Sequence, residues 1–488
     1  MKALNKIGIV GGGTAGLVAA LILKTRFPAA QVDIIRSKKI GIIGVGEGST
    51  EHWNDFMSYV GLDTAEMIKS ADATCKIGIM FKDWGVPDYM HSIQDGYNYI
   101  VGQYPYVYAS LIADGASSCN LSGSQFWDSK VSTWYLDNNR SPVAQYHFNT
   151  FKLNEYLSSA AAERGINLYE DEIVDVSINN NGEISSIQGL EKSYSYDFYI
   201  DSTGFKRFLI SKLGANWVSH SEYLKTNSVI VFQTSDTENY NMWSLAQAMK
   251  YGWMFRTPTW GRWGNGYIYD KEFLTPEQAK AEVEEVLGHE ITIGNHLQFD
   301  PGAIDRAWIK NCCAIGLSAS FVEPLEASSI GTTIQQSFML MHRLVNYNQS
   351  VIDSYNKSVN DILMNIRDFI VLHFICKRRD TEFWQKVANV KLPDSLAQQL
   401  KIWRHKMPIK EDFSNVSDYI LFRELHFLMI LQGLDLFDVD SINAELNSYP
   451  AGVKQDALRI VSELENFYHV NNNTITHKEL LQLIRNTK

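Results

Sequence analysis

The segment from Ile7 to Ala20, IGIVGGGTAGLVAA, limits the possible folds of this 488-residue chain more than any other stretch. An apolar run leads into glycines with G-x-G-x-x-G spacing at Gly11, Gly13 and Gly16, and helix-forming residues follow. These glycines allow a tight turn and let backbone N–H groups approach a pyrophosphate at a helix N-terminus. The segment therefore predicts the strand, turn and helix of a dinucleotide-binding unit. The alternative is a glycine-rich turn in an ordinary α/β unit.

The composition excludes several classes of protein. The hydrophobic content of 45% and the charged content of 20% are typical of a soluble globular protein. A net charge of −11 argues against binding to nucleic acid or to an anionic membrane. No uninterrupted apolar run approaches the roughly 20 residues of a membrane span. The five cysteines lack metal-site spacing, which favours a reducing, cytoplasmic location with neither a metal site nor a disulfide framework.

A second glycine-rich segment follows the second predicted strand. That strand, 31–35, ends at Arg36, where a dinucleotide-binding unit usually carries an acid for the ribose hydroxyls. Arg36 could bind a phosphate, stack on adenine or remain exposed, and the sequence does not choose between these alternatives. The run IGVGEGST at 43–50 favours a second backbone approach to the cofactor over a flexible loop.

Two charged residues stand in unusual settings. In the strand-like segment 75–84, Lys76 shares a face with Gly78 and Met80, opposite a face of apolar side chains. A lysine in such a strand usually lies at an edge or in solvent, but one that pointed inward would be a candidate functional group. Glu326 lies among apolar and small residues, where it either complements a helix N-terminus or performs chemistry.

Further elements follow from periodicity and capping signals. Aromatic residues at 229–270 indicate an antiparallel sheet, either over an aromatic pocket or with an ordinary apolar core. Strands are predicted at 166–178 and 199–205, the latter with an acid near its end. Helices are predicted at 151–164 and 274–287, then over most of the chain from 332, with a capping box at Thr476 and Glu479.

Five of these stretches, in order, resemble the flavin-dependent halogenases of the tryptophan halogenase type. The matching segments are the GGGTAG turn, IGVGE at 43–47, WMFRTP at 253–258 (W-x-W-x-I-P in the family), FVEPLEASSI at 321–330 (F-x-E-P-L-E-S-T-G-I) and IRDFIVLH at 366–373 with the nearby Asp380-Thr381 and Phe383-Trp384. The resemblance implies an α/β fold with a Rossmann-like FAD-binding module of the flavin monooxygenase type at 1–345. Inserted antiparallel sheet segments at about 80–145 and 220–275 would face the substrate, and 346–488 would form a mostly helical substrate module.

The resemblance also implies a reaction and its site. A separate flavin reductase would supply FADH2, and with O2 a bound chloride, bromide or iodide would become hypohalous acid. An essential lysine, at the position of Lys76, would hydrogen-bond this agent or become a haloamine, and Glu326 would assist halogenation of an aromatic ring. Matched positions place the halide at the backbone of Ser328 and Ser329, and the substrate near His91, Trp253 and Phe255. The implied FAD contacts are Gly11, Gly13, Thr14, Ala15, Gly16, Arg36, Gly46, Glu47, Ile173, Leu317 and Ile330.

Departures from the family pattern shape the expected specificity. Phe255 and Thr257 replace Trp and Ile of a motif that the family ties to suppression of monooxygenation. Ser329 replaces a glycine, which leaves room for a preference for bromide or iodide. No tryptophan follows Trp403, so an indole or phenol other than free tryptophan is expected.

Two other functions compete with the halogenase hypothesis. A single-component flavin monooxygenase should carry a second nucleotide fingerprint, and none is found. A non-catalytic flavin-binding interaction protein would not need Lys76 and Glu326. The sequence leaves open whether identical chains associate.

Overall fold

The computed structural model describes residues 4–41, 44, 47–85, 87–92, 109, 128–138, 141, 143, 145–235 and 240–486. The glycine-rich segment folds as predicted, with strand Lys6–Val10, a turn, and helix Thr14–Arg26. Gly11 has φ +118°, which a side chain would strain, so glycine fits this turn. The helix is buried through its middle because it packs between the helices Ser328–Arg343 and Thr150–Glu163. Gly46, which the resemblance implies as an FAD contact, lies outside the described residues.

A six-stranded sheet carries the glycine-rich turn at one edge. The strands Trp308–Ile309 and Cys312–Ala314 pair antiparallel, and all the other pairings are parallel. The spatial order of the strands is Trp308–Ile309, Cys312–Ala314, Phe198–Asp201, Lys6–Val10, Gln31–Arg36, Asn167–Glu170. Because parallel strands end at the same edge, the turn lies beside Arg36 and Asp201. Asp201 accepts hydrogen bonds from Thr203, Leu209 and other donors, so this carboxylate fixes the following loop.

The inserted sheet has seven strands and carries most of the aromatic residues. It is antiparallel except for one parallel pair, Gly78–Lys82 with Trp243–Ala248, in the order Ile293–Gln298, Ser228–Ser235, Arg262–Tyr269, Gly252–Thr259, Trp243–Ala248, Gly78–Lys82, Tyr89–Ser92. Trp253, Tyr267 and Tyr269 are fully buried, so these rings form the core of the sheet.

Two predicted strands are each divided between two sheets. The segment predicted at 166–178 forms Asn167–Glu170 and Ile173–Ile178. The segment predicted at 75–84 forms Thr74–Lys76 and Gly78–Lys82, because Ile77 N–H turns away to the carbonyl of Met242. The smaller sheets contain Ile173–Ile178, Ile184–Gly189 and Ser193–Tyr194; Trp217–Ser219, Gly302–Ile304 and Ser320–Phe321; Glu47–Gly48, Gln145–Phe148 and Thr74–Lys76; and Lys130–Ser132 with Thr474–Thr476.

Helices dominate the last third of the chain, as expected. The helix predicted at 274–287 forms as Pro276–Leu287, and a capping box of Thr275 and Gln278 starts it. The capping box predicted at Thr476 and Glu479 caps the last helix. None of the described helices is both long and apolar enough to cross a bilayer. The remaining helices are His52–Val60, Thr64–Ser70, Trp134–Asp137, Gln349–His373, Glu382–Ala388, Asp394–Trp403, Glu424–Gly433, Val439–Ser448, Ala451–Val470 and His477–Asn486.

Candidate active site

Lys76 points into the protein. Its strand pairs with Gln145–Phe148, and Lys76 is only 2% exposed. The expectation that a lysine in such a strand lies at an edge or in solvent is therefore wrong for Lys76. Its Nζ donates a hydrogen bond to the carbonyl of Ser49 at 2.8 Å. Burial lowers the pKa of Lys76 to about 8, and the negative charges of Glu326 and Glu51 oppose this fall. The ammonium and the neutral amine are therefore both accessible near neutral pH.

Glu326 is buried between two histidines. Its Oε2 lies 2.7 Å from His91 Nδ1, and its Oε1 lies 2.8 Å from His373 Nε2. Burial opposes ionisation of the carboxyl, but the charge and hydrogen bonds of His91 and His373 outweigh it and hold the pKa of Glu326 well below its usual range. The ammonium of Lys76 lies more than 4.0 Å from the carboxylate oxygens of Glu326, so the two groups do not form a direct ion pair.

One cavity joins these groups. Its volume of about 20 Å³ would hold roughly one water molecule. His91 and His426 both line this cavity, and His91 Nε2 lies 3.1 Å from His426 Nδ1. The lining residues are Thr50, Glu51, Lys76, Gly78, Ile79, His91, Gln145, Glu326, Phe422 and His426. The fold thus brings together Lys76, Glu326 and His91 of the predicted residues, and adds Glu51 and His426, which sequence reasoning missed.

The N-terminus of helix Ser328–Arg343 lies beside the lysine. A Cβ added to Gly48 would be 3.4 Å from Lys76 Nζ and 3.2 Å from Ala327 Cβ, so Gly48 separates the lysine from the helix start. Ala327 precedes the helix with φ +51°, and no side chain caps the first turn. Uncapped N–H groups at a helix N-terminus favour an anion. Ser328 is buried there, whereas Ser329 is exposed.

The glycine-rich turn fits a pyrophosphate. A Cβ on Gly13 would meet no atom of the described residues within 4 Å, and Gly13 precedes helix Thr14–Arg26 without a side-chain cap. Leu317 lies beside this turn, since a Cβ on its neighbour Gly316 would be 2.6 Å from Ala15. Three other predicted contacts lie on other elements. Ile330 is buried in helix Ser328–Arg343, which packs against helix Thr14–Arg26, and Ile173 begins a strand of a small separate sheet. Glu47 lies in the short strand Glu47–Gly48, where burial raises its pKa to about 7.

Arg36 is held by contacts within the protein, and its contact with a phosphate or with adenine stays a prediction. It is partly exposed, and its guanidinium pairs with Glu170 at 2.9 Å and donates to Ser158 Oγ at 3.1 Å. Glu170 ends the neighbouring parallel strand, directly opposite Arg36. A carboxylate therefore does lie at this edge of the sheet, one strand away from its usual position.

Trp253 and Phe255 do not line the cavity that contains Lys76. Trp253 is fully buried and its Nε1 donates to Glu323 Oε2 at 2.6 Å, which joins two of the segments that resembled the family. Burial raises the pKa of Glu323 to about 7 despite hydrogen bonds from Thr226 and Trp253. The only sequence signal for Glu323 was its place in FVEPLE.

Comparison with known proteins agrees with this geometry. Residues 6–441 match the model of the tryptophan halogenase family. The chain is 30% identical to a tryptophan 6-halogenase of Streptomyces toxytricini over 461 residues, covering 85% of this chain and 86% of that protein. It is 28% identical to a tryptophan 7-halogenase of Lentzea aerocolonigenes, covering 84% of each.

Solved structures show the same fold. The crystal structure of the Streptomyces toxytricini enzyme has a TM-score of 0.86, with 25% identity over 99% of this chain and 100% of that chain. A flavin-dependent halogenase from Xanthomonas campestris has a TM-score of 0.83, with 26% identity over 99% of both chains. The chain therefore belongs to the tryptophan halogenase family of flavin-dependent halogenases.

Proposed function

We propose that this halogenase uses FADH2, O2 and a halide to form hypohalous acid, which Lys76 directs onto an electron-rich aromatic ring. The observation that carries the proposal is the buried ammonium of Lys76 in one cavity with Glu326, beside an uncapped helix N-terminus. A separate flavin reductase is the proposed source of FADH2, as the family requires.

The residues around the glycine-rich turn are suited to hold FAD. Gly13 leaves open space at the start of an uncapped helix, which supports a pyrophosphate there, and Leu317 lies close by. Bound reduced FAD, together with O2, supplies the oxidising power that converts a halide to hypohalous acid. We assign this role to a module at 1–345, with 346–488 forming the helical module on the substrate side.

Lys76 is the residue that handles the oxidised halogen. One of its N–H bonds is used by Ser49, so the others remain for the cavity. With a pKa of about 8, roughly nine in ten Lys76 side chains are ammonium at pH 7. An ammonium donates to the oxygen of hypohalous acid and makes the halogen more electrophilic, whereas the smaller neutral fraction can form a haloamine with loss of water.

Glu326 is the proton acceptor. When the ring attacks the halogen, a C–halogen bond forms and the ring becomes cationic. The C–H bond at that carbon then breaks, its electron pair restores the aromatic ring, and the proton goes to a carboxylate oxygen. An ionised Glu326 stabilises the ring cation in a site shielded from water.

The halide and the aromatic substrate are assigned by class. The N–H groups at Ser328 and Ser329 are the proposed halide ligands, and the serine in place of glycine supports bromide or iodide over chloride. Trp403 is buried and donates to Asp412, so it is not placed to stack on an indole, and no tryptophan follows it. We therefore favour a phenol or an indole other than free tryptophan.

The test is a panel of aromatics and halides. The purified protein is given a flavin reductase, FAD, NADH, O2 and chloride, bromide or iodide in turn, with activated phenols, indoles and free tryptophan as substrates. We expect halogenated phenol or indole, with more product from bromide than from chloride. Oxygenated products that form without halide would contradict the proposal and favour a monooxygenase.

A further inference from the structure

His373, at the end of helix Gln349–His373, contacts Glu326 in a way that fixes its hydrogen atoms. Its Nδ1 lies 2.8 Å from the carbonyl oxygen of Phe369. A carbonyl oxygen only accepts hydrogen bonds, so Nδ1 must carry a hydrogen. The other ring nitrogen, Nε2, lies 2.8 Å from Glu326 Oε1.

This second contact requires another proton. Without one, lone pairs of Nε2 and of a carboxylate oxygen would face each other at 2.8 Å. His373 is fully buried and the Glu326 side chain is 2% exposed, so solvent does not relieve such a repulsion. The proton lies either on the carboxyl or on the imidazole, and in both cases the pair is neutral overall.

The surroundings decide where the proton lies. Oε2 of Glu326 faces His91 Nδ1 at 2.7 Å, and the positive charge of Lys76 is close. These neighbours favour the carboxylate, in agreement with the lowered pKa of Glu326. The contacts of His91 do not require a second ring proton in the way those of His373 do, because its Nε2 meets another imidazole nitrogen, His426 Nδ1, which can either donate or accept.

We propose that His373 is a positioning residue that carries the positive charge balancing Glu326, so that the carboxylate remains ionised in a buried cavity. This proposal rests on the proposed function, in which Glu326 accepts the ring proton and opposes the charge of Lys76. Without the charge of His373, desolvation favours the protonated carboxyl, which is no longer a base.

The other charged and titratable groups around the cluster do not replace His373. Burial, then the charge of His91, lowers the pKa of His426 well below its ordinary value, so His426 is neutral. Lys76 is held by the carbonyl of Ser49. Four other described groups act on the cluster electrostatically. Glu51 and His147 act through Lys76, and burial lowers the pKa of His147 well below its ordinary value. His52 and Arg423 act through His426.

His373→Gln separates the charge of His373 from its hydrogen bond, since a glutamine amide can donate to Glu326 but carries no charge. Halogenation by wild type and variant is measured as kcat and KM from pH 5.5 to pH 9. In wild type the acidic limb of kcat should lie below this pH range, because the pKa of Glu326 is well below its usual value. In the variant the limb should move up into the range, toward the pKa of about 7 to which burial raises Glu323, a carboxyl with only neutral hydrogen-bond donors. Activity at pH 5.5 should therefore fall at least about tenfold and recover as the pH rises. His220→Gln, which removes another buried histidine far along the chain, should leave this limb in place.

A purely structural role for His373 would lower activity equally at every pH and would overturn the proposal. As a second measurement, ¹⁵N spectra of histidine-labelled wild-type protein, with His373 assigned from the variant, should show both ring nitrogens protonated at pH 7. A neutral His373 ring would also overturn it. This spectrum needs no turnover, so a wild-type protein that halogenates nothing would count against the proposed function and not against the charge on His373.

Discussion

Gly13→Ala separates binding of the cofactor from stability of the fold. The φ of Gly13 is −75°, which suits any residue, and an added Cβ meets no atom within 4 Å in the described part of the chain. Alanine is a poorer N-cap than glycine by about 0.7 kcal/mol, and the stiffer unfolded chain returns about 0.4–1 kcal/mol. The free energy of unfolding of the apoprotein should therefore stay within about 0.5 kcal/mol of wild type.

The same methyl group should obstruct FAD. It occupies the space in which backbone N–H groups would meet the pyrophosphate, and losing one hydrogen bond to a charged group costs about 1.5–3 kcal/mol. The Kd for FAD should rise about tenfold to a hundredfold. Urea denaturation of the apoprotein and a titration of FAD fluorescence measure the two quantities.

Gly16→Ala is the matched control within the same motif. Its Cβ would lie 2.1 Å from the carbonyl oxygen of Gly11, so the backbone must move. Overpacking of this kind costs about 1–3 kcal/mol in the free energy of unfolding. If Gly13→Ala bound FAD as tightly as wild type, or lost as much stability as Gly16→Ala, the assignment of this turn to the pyrophosphate would be refuted.

Two further predictions concern stability. Trp253→Phe removes the N–H that donates to buried Glu323, whereas the buried Nε1 of Trp53 has no hydrogen-bond partner within the described part of the chain. Trp253→Phe should therefore lower the free energy of unfolding, measured by urea denaturation, by about 1–3 kcal/mol more than Trp53→Phe; equal losses would contradict the bond to Glu323. Burial lowers the pKa of His477 from 6.5 to about 4, so between these pH values the unfolded chain binds a proton that the folded chain does not. The free energy of unfolding should therefore decrease as the pH is lowered through this window, and His477 should account for about 3 kcal/mol of the loss at pH 4. A His477→Gln variant whose stability decreased just as steeply from pH 7 to pH 4 would disprove this contribution.

Local patterns in the sequence predicted the elements that local forces determine. The glycine spacing at Gly11, Gly13 and Gly16 predicted the first strand, turn and helix, and the capping box at Thr476 and Glu479 correctly marked the start of the last helix. These features depend on residues within one or two turns of each other. The family resemblance added the order of the modules, because five separate segments matched in sequence order.

The position of Lys76 could not be derived from alternation. Residues 75–81 are buried on both faces of the segment, so periodicity did not reveal which side chains meet solvent. Burial of Lys76 arises from Gln145–Phe148, which pairs with its strand from about 70 residues away. The resemblance, and not the pattern, pointed to the correct side.

Partners of the site residues were invisible for a similar reason. His373 and His426 reach Glu326 and His91 from helices that lie far away in sequence. His373 ends the family-like segment IRDFIVLH, but nothing in that segment indicated Glu326 as its partner, and His426 belongs to none of the matched segments. Glu170 pairs with Arg36 because two parallel strands align in register, which no local signal encodes. Such pairs follow from topology, so they emerge only once the strands and helices are assembled.

Lys76→Ala, compared with Lys82→Ala, tests the central claim most directly. Lys82 ends the next strand and is exposed, so its loss should change neither FAD binding nor halogenation. Lys76→Ala should bind FAD with an unchanged Kd and still consume O2 with the reductase, while its yield of halogenated aromatic falls at least about a hundredfold. Product at the wild-type level from Lys76→Ala would contradict the role assigned to the buried ammonium.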